Sequence, residues 1–199
     1  MILKAFVRVF SYKLLIYCES MNYQKHNTLF KKEINFDIYH STQMGFSSAE
    51  IDGFKKKLEH YCVYQERCHE DLKIKMKQLN VPYEYRDDLM VYLIENNFLN
   101  EERFAVTFAS GKHRIKHWGK IRISSELKFR NISSRIINTA LQEISDEEYS
   151  ENFNRIAFKI WEQTTEHNLL LKKKKCSEYL LRKGYESHWV YDKIQELSS

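Results

Sequence analysis

From Ser47 onward the apolar positions recur every three or four residues, and helix-starting or helix-ending residues bracket each run. Ile51, Phe54, Leu58 and Tyr61 follow at intervals of 3, 4 and 3, the stripe of an amphipathic helix. Ser47 and Glu50 frame its start as a capping box. Leu72, Met76 and Leu79 mark a second helix. It ends at Asn80-Val81-Pro82, because the residue before a proline avoids the helical region. Leu89, Leu93 and Ile94 mark a third, closing at Asn96 and Asn97.

The same sequence of signals returns twice. Asn100 is placed to cap a helix carrying Phe104 and Phe108. Gly119 is expected to supply the turn into a helix from Ile121 to Arg130. Asn131 suits a left-handed cap, and Ser133 or Ser134 opens a helix with Ile137, Leu141 and Ile144 inside. Phe104, Phe108, Ile115, Ile121, Ile123 and Leu127 read together as the inside of a helix pair. Ser145 to Glu148 form a further capping box, followed by Tyr149, Phe153, Ile156, Ile160 and Trp161. A helix ending at Gly184 comes next, then one carrying Val190, Ile194 and Leu197.

The runs superpose. Shifted by 53, Ile123, Leu127, Asn131, Ile132, Ile137, Leu141 and Ile144 become Cys176, Leu180, Gly184, Tyr185, Val190, Ile194 and Leu197. Shifted back by 51, the first four become Leu72, Met76, Asn80 and Val81. Apolar positions and cap coincide, which indicates an internal repeat of three-helix units. The reading is all-α: three tandem three-helix repeats, winged-helix-like units lacking the wing, forming an elongated curved body suited to an extended partner. The expected boundaries are 47–99, 100–144 and 145–199, after an N-terminal extension, 1–46, of low order. Five glycines and one proline agree with helices rather than hairpins.

That extension is ambiguous. Met1 to Cys18 is apolar, but Lys4, Arg8 and Lys13 interrupt it, which suits neither a membrane span nor a secretory signal. Ile34 to Ile38 alternates briefly, as a short strand or extended arm does. Met21 is an alternative start. The four cysteines lack C-x-x-C spacing and read as reduced, packed thiols of a cytoplasmic protein. Cys62, Cys68 and His69 fit no common zinc spacing.

Charge changes the picture more than composition does. The net charge of +5 is mild, but Lys112 to Arg135 holds eight Lys/Arg against one acid, Glu126. Lys112, Arg114, Lys116, Lys120, Arg122, Lys128 and Arg130, with Trp118 among them, read as one basic face for a polyanion or acidic protein. Lys172, Lys173, Lys174 and Lys175, then Arg182 and Lys183, repeat the theme in the third unit. The plainer alternative is a solvated helix face with Trp118 packed inward. No P-loop, dinucleotide-binding turn or H-E-x-x-H is present. His113 and His117 stand among cations, which argues against a metal pair. The paired acids lie at helix starts, where the dipole accounts for them. No enzyme, cofactor or metal is expected.

Three segments resemble the RecX family of bacterial regulatory proteins: Phe98-Leu-Asn-Glu-Glu-Arg-Phe-Ala105, the stretch from Gly119 to Ile132, and, less closely, Tyr61 to His69. Asn97 and Asn131 stand where that family carries glycine, and Arg67-Cys68-His69 departs from its Arg-x-x-Ser element. The resemblance implies three tandem three-helix repeats. It also implies a non-enzymatic modulator that binds the filament of RecA recombinase on single-stranded DNA and limits its activity; with no dimer seam or membrane span read in the chain, a monomer without a membrane partner is expected. The alternative is a stand-alone helical DNA-binding regulator, which predicts a dimer with sequence preference.

Overall fold

A computed structural model describes residues 47–199. The expected N-terminal extension, Cys18 and the brief alternation at Ile34–Ile38 lie outside the described residues. Within them the chain forms α1 (Ser48–Tyr64), α2 (His69–Gln78), α3 (Tyr83–Glu95), α4 (Glu101–Lys116), α5 (Lys120–Phe129), α6 (Ser134–Gln142), α7 (Asp146–Gln163), α8 (Leu169–Lys183) and α9 (Ser187–Leu197). No strand occurs among the described residues.

The repeat visible in the sequence is a repeat of buried positions. Leu72, Ile123 and Cys176 are fully buried on the middle helix of each triplet, as are Met76, Leu127 and Leu180 one turn later. Each middle helix ends alike. Asn80, Asn131 and Gly184 take φ of 55°, 59° and 88°. The next residue then sends its N–H back to the last turn: Val81 to Met76 O at 2.9 Å, Ile132 to Leu127 O at 3.1 Å, Tyr185 to Leu180 O at 3.3 Å. The left-handed residue lets the chain reverse while its carbonyls stay bonded. The apolar residue behind it drops into the core.

N-caps follow the sequence signals at α4, α6 and α7. Asn100 accepts from Arg103 N–H at 2.9 Å, Ser133 from Ile136 N–H at 3.4 Å and Ser145 from Glu148 N–H at 3.1 Å. Glu147 and Glu148 in the first turn of α7 complement its positive end.

Two apolar cores result. Leu58, Cys62, Leu72, Met76, Val81, Leu89, Leu93 and Leu99 form the first. The second runs continuously through α4–α9, from Phe104 and Ile123 to Tyr185 and Ile194. Cys68, at the N-cap of α2, packs into this second core. Polar contacts around Cys68 add to the joint. Arg103 Nε donates to Glu66 Oε1 at 2.6 Å, His69 Nδ1 meets Glu101 Oε1, and Asn131 Nδ2 donates to Glu70 Oε1 at 3.2 Å.

The joint between α4–α6 and α7–α9 is of another kind. Gly119 N–H donates to Lys183 O at 2.8 Å and Ile121 N–H to Gly184 O at 3.1 Å. A side chain on Gly119 would overlap the Gly184 backbone. Gly119 has φ −78°, so close approach accounts for the glycine. The left-handed turn itself is made by His117, φ 53°, one step before Trp118. The expectation that Gly119 makes that turn is therefore corrected.

Candidate partner-binding surface

The basic stretch does not form one face. α4 and α5 point its residues in two directions, and their aromatic neighbours decide which. On one side the rings of Phe108 and Trp118 meet edge to face, 6.4 Å apart. Lys112 Nζ lies 5.1 Å from the first ring and 5.3 Å from the second. The Arg130 guanidinium lies 5.0 Å from Phe108, and that of Arg122 4.2 Å from Trp118. Three cations and two rings thus form a ladder across α4 and α5. Such contacts are worth about 0.5–1 kcal/mol each where exposed. They also hold long side chains in fixed positions. Arg130 additionally pairs with Glu126 at 3.1 Å.

The C-terminal end of α8 joins this side. Arg122 donates to Arg182 O at 3.1 Å, and Lys183 Nζ to Lys116 O at 2.9 Å. Lys183 also lies 5.4 Å from the Tyr179 ring. Lys116 and Lys128 are exposed, and neither has a carboxylate within ion-pair distance among the described residues.

On the other side Arg114 and Lys120 turn toward the acidic start of α7. Arg114 bonds both Glu148 oxygens, at 2.6 and 3.1 Å, which lowers the Glu148 pKa and raises that of Arg114. Lys120 lies 4.7 Å from the Tyr149 ring and 3.4 Å from Asp146. Tyr149 donates to Glu186 at 2.6 Å and accepts from Lys120 N–H at 3.2 Å. Burial, then that carboxylate, pushes its hydroxyl far above the ordinary range.

Lys172 to Lys175 occupy the first half of α8, roughly 15 Å along the axis from Arg182 and Lys183. Lys172 covers Trp161 at 4.5 Å, and Lys173 donates to Gln195 at 3.1 Å. Lys174 lies 4.0 Å from Glu178, and Lys175 pairs with Glu166, which lowers the Glu166 pKa.

Three expectations about neighbouring residues change. Ile115 and Ile121, read as interior, are 73% and 52% exposed. His113 does not share a solvated face with His117. It is fully buried, stacks on Tyr149 at 5.3 Å, and its Nδ1 lies 2.9 Å from Trp118 O. His117 leaves the helix and meets Asn152 Oδ1 at 2.6 Å. Sequence reading also passed over Arg67, whose guanidinium sits 3.9 Å from the Tyr61 ring, facing α4 across a groove. Among the described residues no group of three His, Cys, Asp or Glu is arranged to hold a metal. None of their helices is long and apolar enough to cross a membrane.

The second three-helix domain of RecX matches residues 100–141, the span of α4 to α6. "Regulatory protein RecX" of Bacillus cereus strain B4264 is 25% identical over 137 residues, 69% of this chain and 51% of that protein. The protein of the same name in Bacillus mycoides is 23% identical over the same shares. These matches support a relationship to the RecX family. It spans about half the length of these RecX relatives. The RecX crystal structure from Lactobacillus salivarius superposes with a TM-score of 0.65 at 22% identity, covering 76% of this chain and 98% of that one. A second RecX crystal structure gives 0.63 at 20%, covering 76% and 80%. Both share the RecX fold of tandem three-helix units.

Proposed function

We propose that this chain is a RecX-type regulator that binds the filament of RecA recombinase on single-stranded DNA and limits its activity, as a cytoplasmic monomer without catalysis of its own. Its modules would be 47–99, 100–144 and 145–199. The observation that carries the reading is the Phe108–Trp118 ladder with Lys112, Arg122 and Arg130, continued by Lys183. A filament groove offers phosphates and acidic protein surface together, and cations held over aromatic rings meet either with little further ordering. Arg114 and Lys120 contribute less, because they already face Glu148 and Asp146.

The test is ATP hydrolysis by the recombinase on single-stranded DNA with this chain titrated in. Wild type should suppress hydrolysis well below the recombinase concentration. Arg122→Glu combined with Lys128→Glu should raise the amount needed by at least about ten-fold, the loss expected from one charge-assisted contact. Unchanged inhibition by that variant would remove the ladder from the interface. No inhibition by wild type, with tight binding to one duplex sequence, would favour a stand-alone DNA-binding regulator.

A further inference from the structure

A groove of about 420 Å³ separates the α1–α2 connection from the outer face of α4. Arg67, Lys112, Lys116 and Arg130 line it, against Glu66 and Asp71. Both acids are engaged: Glu66 accepts from Arg103 at 2.6 Å, and Asp71 caps α2 by accepting Cys68 N–H at 3.4 Å. Arg67, Lys112 and Lys116 have no carboxylate within ion-pair distance among the described residues. Four cations against two carboxylates line one concavity, and Arg67 and Lys112 are held there by the Tyr61 ring and by the Phe108 and Trp118 rings.

Gly111 lines the same groove from the interior of α4. Glycine there weakens a helix relative to alanine. Such a residue is usually retained where another backbone packs closely, yet a Cβ at Gly111 would meet nothing within 4 Å. The fold does not require it. What glycine does is leave bare backbone in the groove wall beside Lys112, with Phe108 and the exposed Ile115 on the same lining.

We propose that this groove seats the sugar–phosphate backbone of single-stranded nucleic acid, with phosphate oxygens on Arg67, Lys112 and Lys116 and the sugar passing over Gly111. A nucleotide brings both phosphate and a flat apolar base, matching the cations and the Phe108–Ile115 lining. An acidic peptide brings charge without a flat base for that apolar lining, and either ligand would meet Glu66 and Asp71 alike. The proposal rests on the filament reading only in taking nucleic acid as part of the partner.

The experiment is fluorescence anisotropy of a labelled oligothymidylate with the full chain across a salt series, beside thermal melting and the recombinase ATPase assay. Gly111→Gln fills the groove with a good helix former, so it should melt no lower than wild type. It should bind the oligonucleotide at least about ten-fold more weakly, as for one lost charge-assisted hydrogen bond. Lys116→Gln, at an exposed position, should lower the log–log salt slope by about 0.7. It carries the same reading if Gly111→Gln melts low. Wild-type binding by a folded Gly111→Gln, an unchanged slope in Lys116→Gln, or no oligonucleotide binding by wild type would each overturn the proposal. So would displacement of the oligonucleotide by polyglutamate at equal charge concentration, which would make the groove a peptide site. If wild type fails to inhibit the recombinase while the groove variants still lose oligonucleotide, the filament reading fails and the groove stands.

Discussion

Gly184 concentrates two constraints in one residue. Its φ of 88° disfavours any side chain, and a Cβ there would overlap Arg122. Gly184→Ala should therefore cost about 2–5 kcal/mol, combining left-handed strain with overpacking, measurable as a lower urea midpoint. The buried thiols make a second prediction at this scale. Burial raises Cys62 and Cys68 to about 11 each. A raised folded pKa favours the protonated form, so this contribution is complete below the ordinary thiol range and is lost as pH rises toward 11. Stability should fall between pH 9 and 11, and less steeply in a Cys62→Ala, Cys68→Ala variant. Cys62 and Cys68 should resist iodoacetamide at neutral pH in the native state and react once unfolded. The left-handed Asn131 and Gly184 were legible in the sequence, because few residue types tolerate that backbone. The burial of His113 was not. Its helical spacing matched its charged neighbours, and only Tyr149 and Asn152, brought from α7, supply the ring and amide that cover it.

At the scale of elements, α4 and α5 show where helical periodicity stops being informative. Ile115, Ile123 and Leu127 all fit an apolar stripe, yet the first is exposed and the others fully buried. Ile115 lies near the end of α4 on the side that lines the groove, whereas His113 in the same turn is covered by α7. Leu127→Ala should cost about 2–5 kcal/mol by leaving a cavity. Ile115→Ala should change stability by no more than about 0.5 kcal/mol, as an exposed site does. Chemical denaturation of the two variants, side by side, checks both. An equal loss would mean that α4 packs differently from the arrangement described.

For the described residues as a whole, the two joints differ in physical character. α4–α9 share one apolar core, sealed by backbone bonds from Gly119 and Ile121. α1–α3 have a core of their own and reach the next unit through Cys68 and a few polar pairs. Arg103 is central to that lacing, since it also donates to Asn97 Oδ1 and Asn97 O at 3.0 Å. Arg103→Ala should destabilise by about 1–3 kcal/mol, because it strands the Glu66 carboxylate, whose Oε2 is buried without a partner among the described residues. Hydrogen exchange should show the loss in α1–α3 before α4–α9, since their cores are separate. Loss spread evenly over all nine described helices would mean that the joint is not a boundary of cooperativity.

Helix content, the threefold repeat, its left-handed caps and most of the core could be read from the chain alone. Each depends on interactions between residues close in sequence: apolar periodicity, an N-cap three residues from its donor, a residue able to reverse the backbone. The direction taken by each cation could not. Whether a lysine meets a ring, a carboxylate or water depends on residues tens of positions away, as Arg114 with Glu148 and Arg122 with Arg182 show. The sequence supplied the charge, and packing between helices decided that Lys112, Arg122 and Arg130 stand together while Arg114 and Lys120 turn aside.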